Sequence, residues 1–133
     1  EHSFAVEDQY LLRGGYTFES GMSCGEQLLS LPNPPTAVFA GNDEMAVGVY
    51  QAVRQAGLRV PDDLSIVGFD DAPIATRIWP TLTTVRLPIR YMGRTAVQLL
   101  VSNHDPAAME PPATTSVMPS LIVRGSTAAP TRK

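Results

Sequence analysis

Apolar and polar positions alternate along this chain in blocks with two different periods. Residues 36–40 and 64–69 are short apolar runs rich in β-branched side chains, which is typical of buried strands. Between them, residues 43–56 carry apolar side chains at helical spacing, and Gly57 follows as a helix stop. This stripe consists of Ala46, Val49, Tyr50 and Val53. The order strand, helix, strand predicts right-handed crossovers and a mostly parallel α/β sheet.

The same reading predicts the remaining elements. We expect strands at 10–12 and 82–85, a helix at 19–31, a short helix or loop at 72–79 and a helix from Pro88 to Ser102. Further along, we expect a loop over 104–113, an extended segment over 114–124 interrupted at Pro119, and a frayed tail over 126–133.

Composition narrows the class of protein. The 133 residues are 44% hydrophobic and 17% charged, which are ordinary globular values. A net charge of −3 argues against this chain itself gripping a phosphate backbone. Cys24 is the single cysteine, which excludes an internal disulfide and fits a reducing compartment. No apolar run reaches the length of a membrane span, and we interpret the start at Glu1 as that of a fragment of a longer polypeptide.

Polar side chains follow two of the predicted strands at the point where each strand ends. Asn42 and Asp43 come after the strand at 36–40, whereas Asp70 and Asp71 come after the strand at 64–69. In a parallel sheet, ligands bind outside the carboxyl ends of the strands. The sequence therefore predicts a site for a small polar ligand at this edge.

Each of these residues also has a structural interpretation. Asp43 and Asp71 fit a helix start and a turn, and Asn42 fits a helix N-cap. We interpret Trp79 as a packing anchor, and Arg86, Arg90 and Arg94 as a solvated face. The sequence has no nucleophile–base pair, phosphate loop or metal-ligand spacing, so we expect neither an enzyme nor a cofactor.

Five motifs carry a resemblance to a known family. They are GGYTFESG at 14–21, PTAVFAGNDEMAVG at 35–48, GLRVPDDLSIVGFDD at 57–71, PTLTTVRLPIRYMG at 80–93 and LIVRGST at 121–127. In this order they resemble the effector-binding region of the lactose-repressor (LacI/GalR) family of bacterial transcription regulators. The resemblance implies a periplasmic-binding-protein-like fold of two lobes, a small effector in the cleft and a separate N-terminal helix-turn-helix.

The resemblance also implies how the chain is divided. Residues 1–87 would belong to the C-terminal lobe, 88–102 would be a helix that belongs to the N-terminal lobe in relatives, 103–126 would return to the C-terminal lobe, and 127–133 would be a tail. The apolar stripe of helix 88–102 would then lack its partner lobe. We therefore expect the helix either to dock on another copy of the chain or to be loosely held, detached from the body of the lobe. That stripe consists of Ile89, Met92, Ala96 and Leu99.

Three effector-binding residues are implied by the matching motifs. Tyr16 stands where the family places an aromatic ring against the effector, and Asn42 and Asp70 stand at its polar contacts. A carboxylate accepts two hydroxyl donors, an amide both donates and accepts, and an aromatic face packs on a sugar ring. This chain departs from the family pattern at Gly15, where an Asp is usual, and at Leu87, where many relatives have Gln.

A dimer surface is implied as well. In the family, the helix matching 43–56 and the segment matching 74–78 pack against a two-fold mate. The contact residues would be Val47, Gln51, Arg77 and Ile78.

The resemblance thus implies that the chain is the cytoplasmic, ligand-sensing part of a DNA-binding transcription regulator. Its partners would be a sugar-like effector, a second copy of the chain, and operator DNA reached only through a headpiece outside this sequence; we expect no membrane partner. The alternative is an extracytoplasmic solute-binding protein of the same fold that serves a transporter. The sequence upstream of Glu1 would distinguish these classes, because a regulator would have a helix-turn-helix there and a solute-binding protein a signal peptide.

Overall fold

The computed structural model describes residues 6–102 and 115–130 as a four-stranded sheet with helices packed against it. The elements are α1 (Phe18–Leu29), β1 (Ala37–Phe39), α2 (Asp43–Gln55), β2 (Ser65–Phe69), β3 (Thr83–Arg86), α3 (Ile89–Ser102) and β4 (Ser120–Ile122), with 3₁₀ turns at Asp8–Tyr10 and Pro73–Thr76. The strand predicted at 10–12 is wrong, since the described chain there forms a 3₁₀ turn followed by irregular backbone. The loop predicted at 104–113 lies outside the described residues.

The sheet has the order β1–β2–β3–β4. β1, β2 and β3 run parallel, with Phe39 opposite Val67 and Val67 opposite Thr83. β4 pairs antiparallel with β3 and sets Arg86 opposite Ser120. The prediction of a mostly parallel α/β sheet is confirmed.

Helix α2 fills the core between the sheet and α1. Its predicted stripe faces inward: Ala46, Val49 and Val53 are at most 2% exposed. They meet Leu64 and Ile66 of the β2 region, which are equally buried. α1 lies directly on α2, because a Cβ added at Gly21 or Gly48 would overlap the backbone of the facing helix. This packing fixes the N-terminus of α2 at the end of β1.

Helix α3 presents its apolar residues to solvent on this chain. Ile89 is 61% exposed and Met92 36% exposed, Ala96 is also exposed, and Leu99 is half-buried. The stripe is therefore largely exposed on this chain. The assignment of α3 to another lobe stays a prediction.

The chain after β4 is anchored rather than frayed. Ser126 is fully buried; its hydroxyl accepts from the Thr83 amide at 2.7 Å and donates to the Ile66 carbonyl at 2.6 Å. Ala128 is tied to Ser65 by its amide at 3.1 Å. The predicted frayed tail from 126 is thus wrong for residues 126–128, because their polar groups complete the seam between β2 and β3. Residues 131–133 lie outside the described chain.

Candidate functional site

The carboxyl ends of β1 and β2 carry the residues expected to bind ligand. These strands are neighbours in parallel register, so the segments that follow them meet at one edge of the sheet. Asn42 follows β1, and Asp70 follows β2. Tyr16, which precedes α1, joins the same edge through a hydrogen bond to Asn42. The structure therefore brings together residues that lie 26 to 54 positions apart in the chain.

Asn42 holds this edge together. Its Oδ1 accepts from the Met45 amide at 2.9 Å, so it is the N-cap of α2. Its Nδ2 donates to the Tyr16 carbonyl at 3.1 Å, which leaves one amide hydrogen for a ligand. The structural interpretation of Asn42 is confirmed, and one donor remains for binding.

Tyr16 is held in a backbone conformation that is rare for a tyrosine. Its φ of 61° lies in the left-handed region, and its side chain is 68% exposed. The ring lies over Gly41, where an added Cβ would stand 3.4 Å from the Tyr16 Cε1. An exposed aromatic face beside polar groups suits stacking on a ligand ring better than core packing.

Asp70 is the carboxylate at this edge that has no partner. Within residues 6–102 and 115–130 its side chain makes no hydrogen bond or ion pair, and the residue is exposed. Its backbone is nevertheless fixed, because φ is 108° and its amide donates to the Val85 carbonyl at 2.9 Å. A non-glycine residue in such a conformation costs about 1–3 kcal/mol, and such residues cluster at binding sites.

Asp43 is structural, as its position at a helix start predicted. It is 1% exposed, and its two oxygens accept from the Thr84 hydroxyl and the Ala72 amide, both at 2.6 Å. Gly68 makes room for it, since a Cβ there would overlap the Asp43 Oδ1. Burial raises the pKa of Asp43 above its usual range, against the lowering effect of these two hydrogen bonds. Repulsion from the charges of Asp70 and Asp71 adds a smaller part to that rise in pKa.

Asp71 is also structural, and it is held by Arg86 and Arg124, whose pairing with it the sequence did not indicate. Its Oδ2 accepts from Arg86 and its Oδ1 from Arg124, each at 2.5 Å. Burial alone would raise the pKa of Asp71, but the hydrogen bonds and charges of Arg124 and Arg86 outweigh it and hold the pKa below its usual range. Arg86 lies on a solvated face as predicted, with its side chain 53% exposed, and its guanidinium also pairs with Asp71. Arg124 lies in the LIVRGST motif, but that motif does not indicate which residue its side chain pairs with.

The residues predicted to form a dimer surface lie beside a groove of about 510 Å³. Val47, Gln51 and Ile78 line it, while Arg77 is exposed and is not among its lining residues. Tyr50 and Pro80 also line the groove; the Tyr50 hydroxyl donates to the Pro80 carbonyl at 2.8 Å, and burial raises the pKa of Tyr50 to about 12. Trp79 also lines the groove and is 88% exposed, so the prediction of a packing anchor is wrong.

A second cavity, of about 900 Å³, lies on the side of β1 away from β2. Its walls are mostly apolar and include Leu11, Cys24 and Phe39, together with Tyr16 and Gly41. It therefore adjoins the polar edge through Tyr16, whereas Asn42 and Asp70 are not among its lining residues.

The described residues hold neither a metal-binding cluster nor a helix able to span a membrane. Residues 6–102 and 115–130 contain no cluster of three His, Cys, Asp or Glu side chains placed to hold a metal ion. In the same ranges, no helix combines the length and apolar character needed to cross a bilayer.

Comparison with known proteins decides the family. Residues 1–127 match the model of the periplasmic binding protein-like domain. The chain belongs to this family. The resemblance to LacI/GalR regulators is confirmed by curated relatives and by solved structures alike.

Two curated relatives are repressors. The chain is 45% identical over 102 residues to the probable HTH-type transcriptional repressor ExuR of Bacillus subtilis, covering 77% of this chain and 31% of that protein. It is 42% identical over 125 residues to the HTH-type transcriptional repressor CytR of Escherichia coli, covering 93% and 36% respectively. The chain thus spans about a third of the length of the curated relatives it matches.

Two solved structures share its fold. A LacI family transcriptional regulator from Enterococcus faecium with bound ribose superposes with a TM-score of 0.74 at 32% identity, over 86% of this chain and 42% of that one. The lac repressor dimer bound to operator and an anti-inducer superposes with a TM-score of 0.79 at 34% identity, over 87% and 40%. The predicted periplasmic-binding-protein-like fold is confirmed.

Proposed function

We propose that this chain is the ligand-sensing part of a bacterial transcription regulator that binds a small sugar or related metabolite. The observation that carries the proposal is the edge formed by Tyr16, Asn42 and Asp70, with an open aromatic face, a spare amide donor and an unpartnered carboxylate. Repressors are the named relatives, which favours a regulator over a transporter's solute-binding protein. We propose a binding role without catalysis, in the cytoplasm.

The chemistry of the site fits a polyhydroxylated ring. Asp70 would accept hydrogen bonds from ligand hydroxyls, and the remaining Asn42 hydrogen would donate to a ligand oxygen. Tyr16 would pack on the apolar face of the ring. A ligand without the matching hydroxyl would leave the carboxylate unpaired, and the site would therefore reject it. One of the similar structures holds ribose, a ligand of this chemistry.

Binding acts on transcription only if it favours one arrangement of the intact protein over another. In the proposed regulator, ligand held between two lobes favours one closure angle, and that angle sets the spacing of two DNA headpieces across a dimer. Operator DNA would be contacted by the headpieces rather than by this chain, whose net charge is −3.

Calorimetry of the intact protein with D-ribose, sucrose and cellobiose tests the site. The Asp70→Ala variant should bind its sugar about ten- to a hundredfold more weakly, the equivalent of about 1.5–3 kcal/mol for one charge-assisted contact. Folding should be preserved because the Asp70 side chain is exposed and unpartnered. Glu26→Ala, an exposed acid on α1, is the matched control and should bind like the wild type. Unchanged affinity in Asp70→Ala would remove Asp70 from the site.

We propose a homodimer through the groove face, with Val47, Gln51, Arg77 and Ile78 against their two-fold equivalents. Supporting it, Val47, Gln51 and Ile78 line one groove and Trp79 stands exposed at it. Val47→Asp should shift the intact protein from dimer to monomer in sedimentation, because it sets two like charges against each other across the axis. Val123→Asp, at an exposed valine outside the groove, is the control. A wild-type protein that sediments as a monomer at high concentration would contradict the dimer.

A further inference from the structure

The turn that carries Asp70 is fixed from three sides. The amides of three consecutive residues each have a partner: Asp70 donates to the Val85 carbonyl at 2.9 Å, Asp71 to the Thr84 hydroxyl at 3.4 Å, and Ala72 to Asp43 at 2.6 Å. Two successive non-glycine residues, Asp70 and Asp71, have positive φ. Such a turn keeps its shape only where its surroundings impose it.

Asp71 supplies the strongest of these constraints. Its side chain is 8% exposed and lies between Arg86, which ends β3, and Arg124, which follows β4. Arg124 is itself fixed, because its other nitrogen donates to the Leu82 carbonyl at 2.8 Å and its side chain is 15% exposed. Charge-assisted hydrogen bonds between a guanidinium and a carboxylate are among the strong hydrogen bonds in proteins. The carboxylate therefore anchors the turn to two strands at once.

The carboxylates of Asp70 and Asp71 have different surroundings. The Asp70 carboxylate is exposed and has no partner among the described residues, whereas the Asp71 carboxylate is 8% exposed and already bonded to two arginines. Because one peptide unit joins them, movement of Asp71 would re-aim the carboxylate of Asp70. We propose that Asp71 is a positioning residue that orients Asp70 and so sets how strongly the site selects ligand hydroxyl groups. This inference rests on the proposed function, in which Asp70 accepts those hydroxyls.

The test compares two sugars and two measurements on the intact protein. Calorimetry with D-ribose and 2-deoxy- or 3-deoxy-D-ribose gives a discrimination ratio, which we expect to be about tenfold or more for the wild type. In Asp71→Asn the affinity for ribose should fall while that for the deoxy sugars changes little, so the ratio should shrink to about threefold or less. A purely structural role would weaken all the sugars by the same factor.

Hydrogen exchange provides the second measurement and needs no ligand. In unliganded Asp71→Asn, the amides of Asp70 and Ala72 should exchange about tenfold faster than in the wild type. Arg86→Gln should also speed the exchange of these amides, but less, since Arg124 remains. This variant replaces Asp71→Asn in the test if Asp71→Asn does not fold. Arg59→Gln is the control, because Arg59 pairs with Asp63 on the surface and has no bond to the turn.

The outcomes separate the two ideas. If the wild type binds none of these sugars, the proposed function fails for this ligand class, and hydrogen exchange alone decides on Asp71. If folded variants show unchanged exchange, or an unchanged discrimination ratio, Asp71 does not position Asp70. Faster exchange together with a reduced ratio, with Arg59→Gln unaltered, supports the inference.

Discussion

Removal of a single hydroxyl group should show how much the buried Asp43–Thr84 contact contributes to stability. Thr84 is 0% exposed and Asp43 is 1% exposed, so no water can replace the bond between them. Thr84→Val keeps the shape of the side chain and deletes the donor that lies 2.6 Å from the Asp43 Oδ1. The Ala72 amide still satisfies the other oxygen. One carboxylate oxygen is then left buried without a donor, which costs about 1.5–3 kcal/mol.

The penalty should depend on pH, and the pKa of Asp43 gives the sign. That pKa is raised by burial above 3.8 and lowered by the Thr84 bond, so Thr84→Val should raise it further. A carboxyl with a raised folded-state pKa loses stability as the pH increases above its unfolded pKa. The difference between Thr84→Val and wild type should therefore be smallest below pH 3.8 and largest at neutral pH.

Urea unfolding of the intact protein, followed by circular dichroism at several pH values, measures the difference in the free energy of unfolding between Thr84→Val and the wild type. Thr84→Ser keeps the hydroxyl and should cost only about 0.8 kcal/mol for the lost methyl group. Thr76→Val is the matched control, since Thr76 is exposed and bonds locally to the Pro73 carbonyl; it should stay within about 0.5 kcal/mol of wild type. A Thr84→Val protein as stable as Thr76→Val at pH 7 would refute the reasoning.

Two further predictions concern the same region and use the same unfolding assay. Gly68→Ala should cost about 1–3 kcal/mol, because its Cβ would overlap Asp43 and lie 2.8 Å from Leu82, whereas Gly93→Ala on α3 meets nothing within 4 Å and should be neutral or stabilising. In Asp71→Asn, the free energy of unfolding should fall less steeply at acid pH than in the wild type. The reason is that the lowered folded-state pKa of Asp71 contributes stability above pH 3.8, and this stability is lost as the pH falls through that pKa. If the free energy of unfolding of Asp71→Asn fell with decreasing pH as steeply as that of the wild type, the ion pairs of Asp71 would not contribute to stability in this way.

Local sequence pattern was sufficient for the central elements of the fold. The helical spacing of Ala46, Val49 and Val53 predicted the buried face of α2, and the alternative of a cap for Asn42 was correct as well. These signals are local, because a helix stripe or a cap involves residues within one or two turns of each other. The polar edge followed from the same kind of reasoning, once parallel strands put their carboxyl ends together.

Partners far apart in the chain could not be predicted in this way. Asp71 bonds to Arg86 and Arg124, which are 15 and 53 residues away, and no local spacing relates them. The apolar run Tyr10-Leu11-Leu12 has the composition of a strand, but the Tyr10 hydroxyl donates to the Asn33 carbonyl and both leucines are exposed. Whether such a run joins a sheet depends on a neighbouring strand that its own sequence does not specify.

The pairing of β3 with β4 has a mechanical consequence. The chain leaves the sheet after Arg86 and comes back at Ser120, and these two residues stand opposite each other in an antiparallel ladder. Helix α3 begins soon after Arg86, so it leaves the sheet directly beside the strand by which the chain returns. Sliding one strand past the other would break the ladder register, whereas bending both together leaves their hydrogen bonds intact. Such a pairing resists shear and twist but yields to tilt, so we expect any motion of α3 against the sheet to be a rotation about this one line.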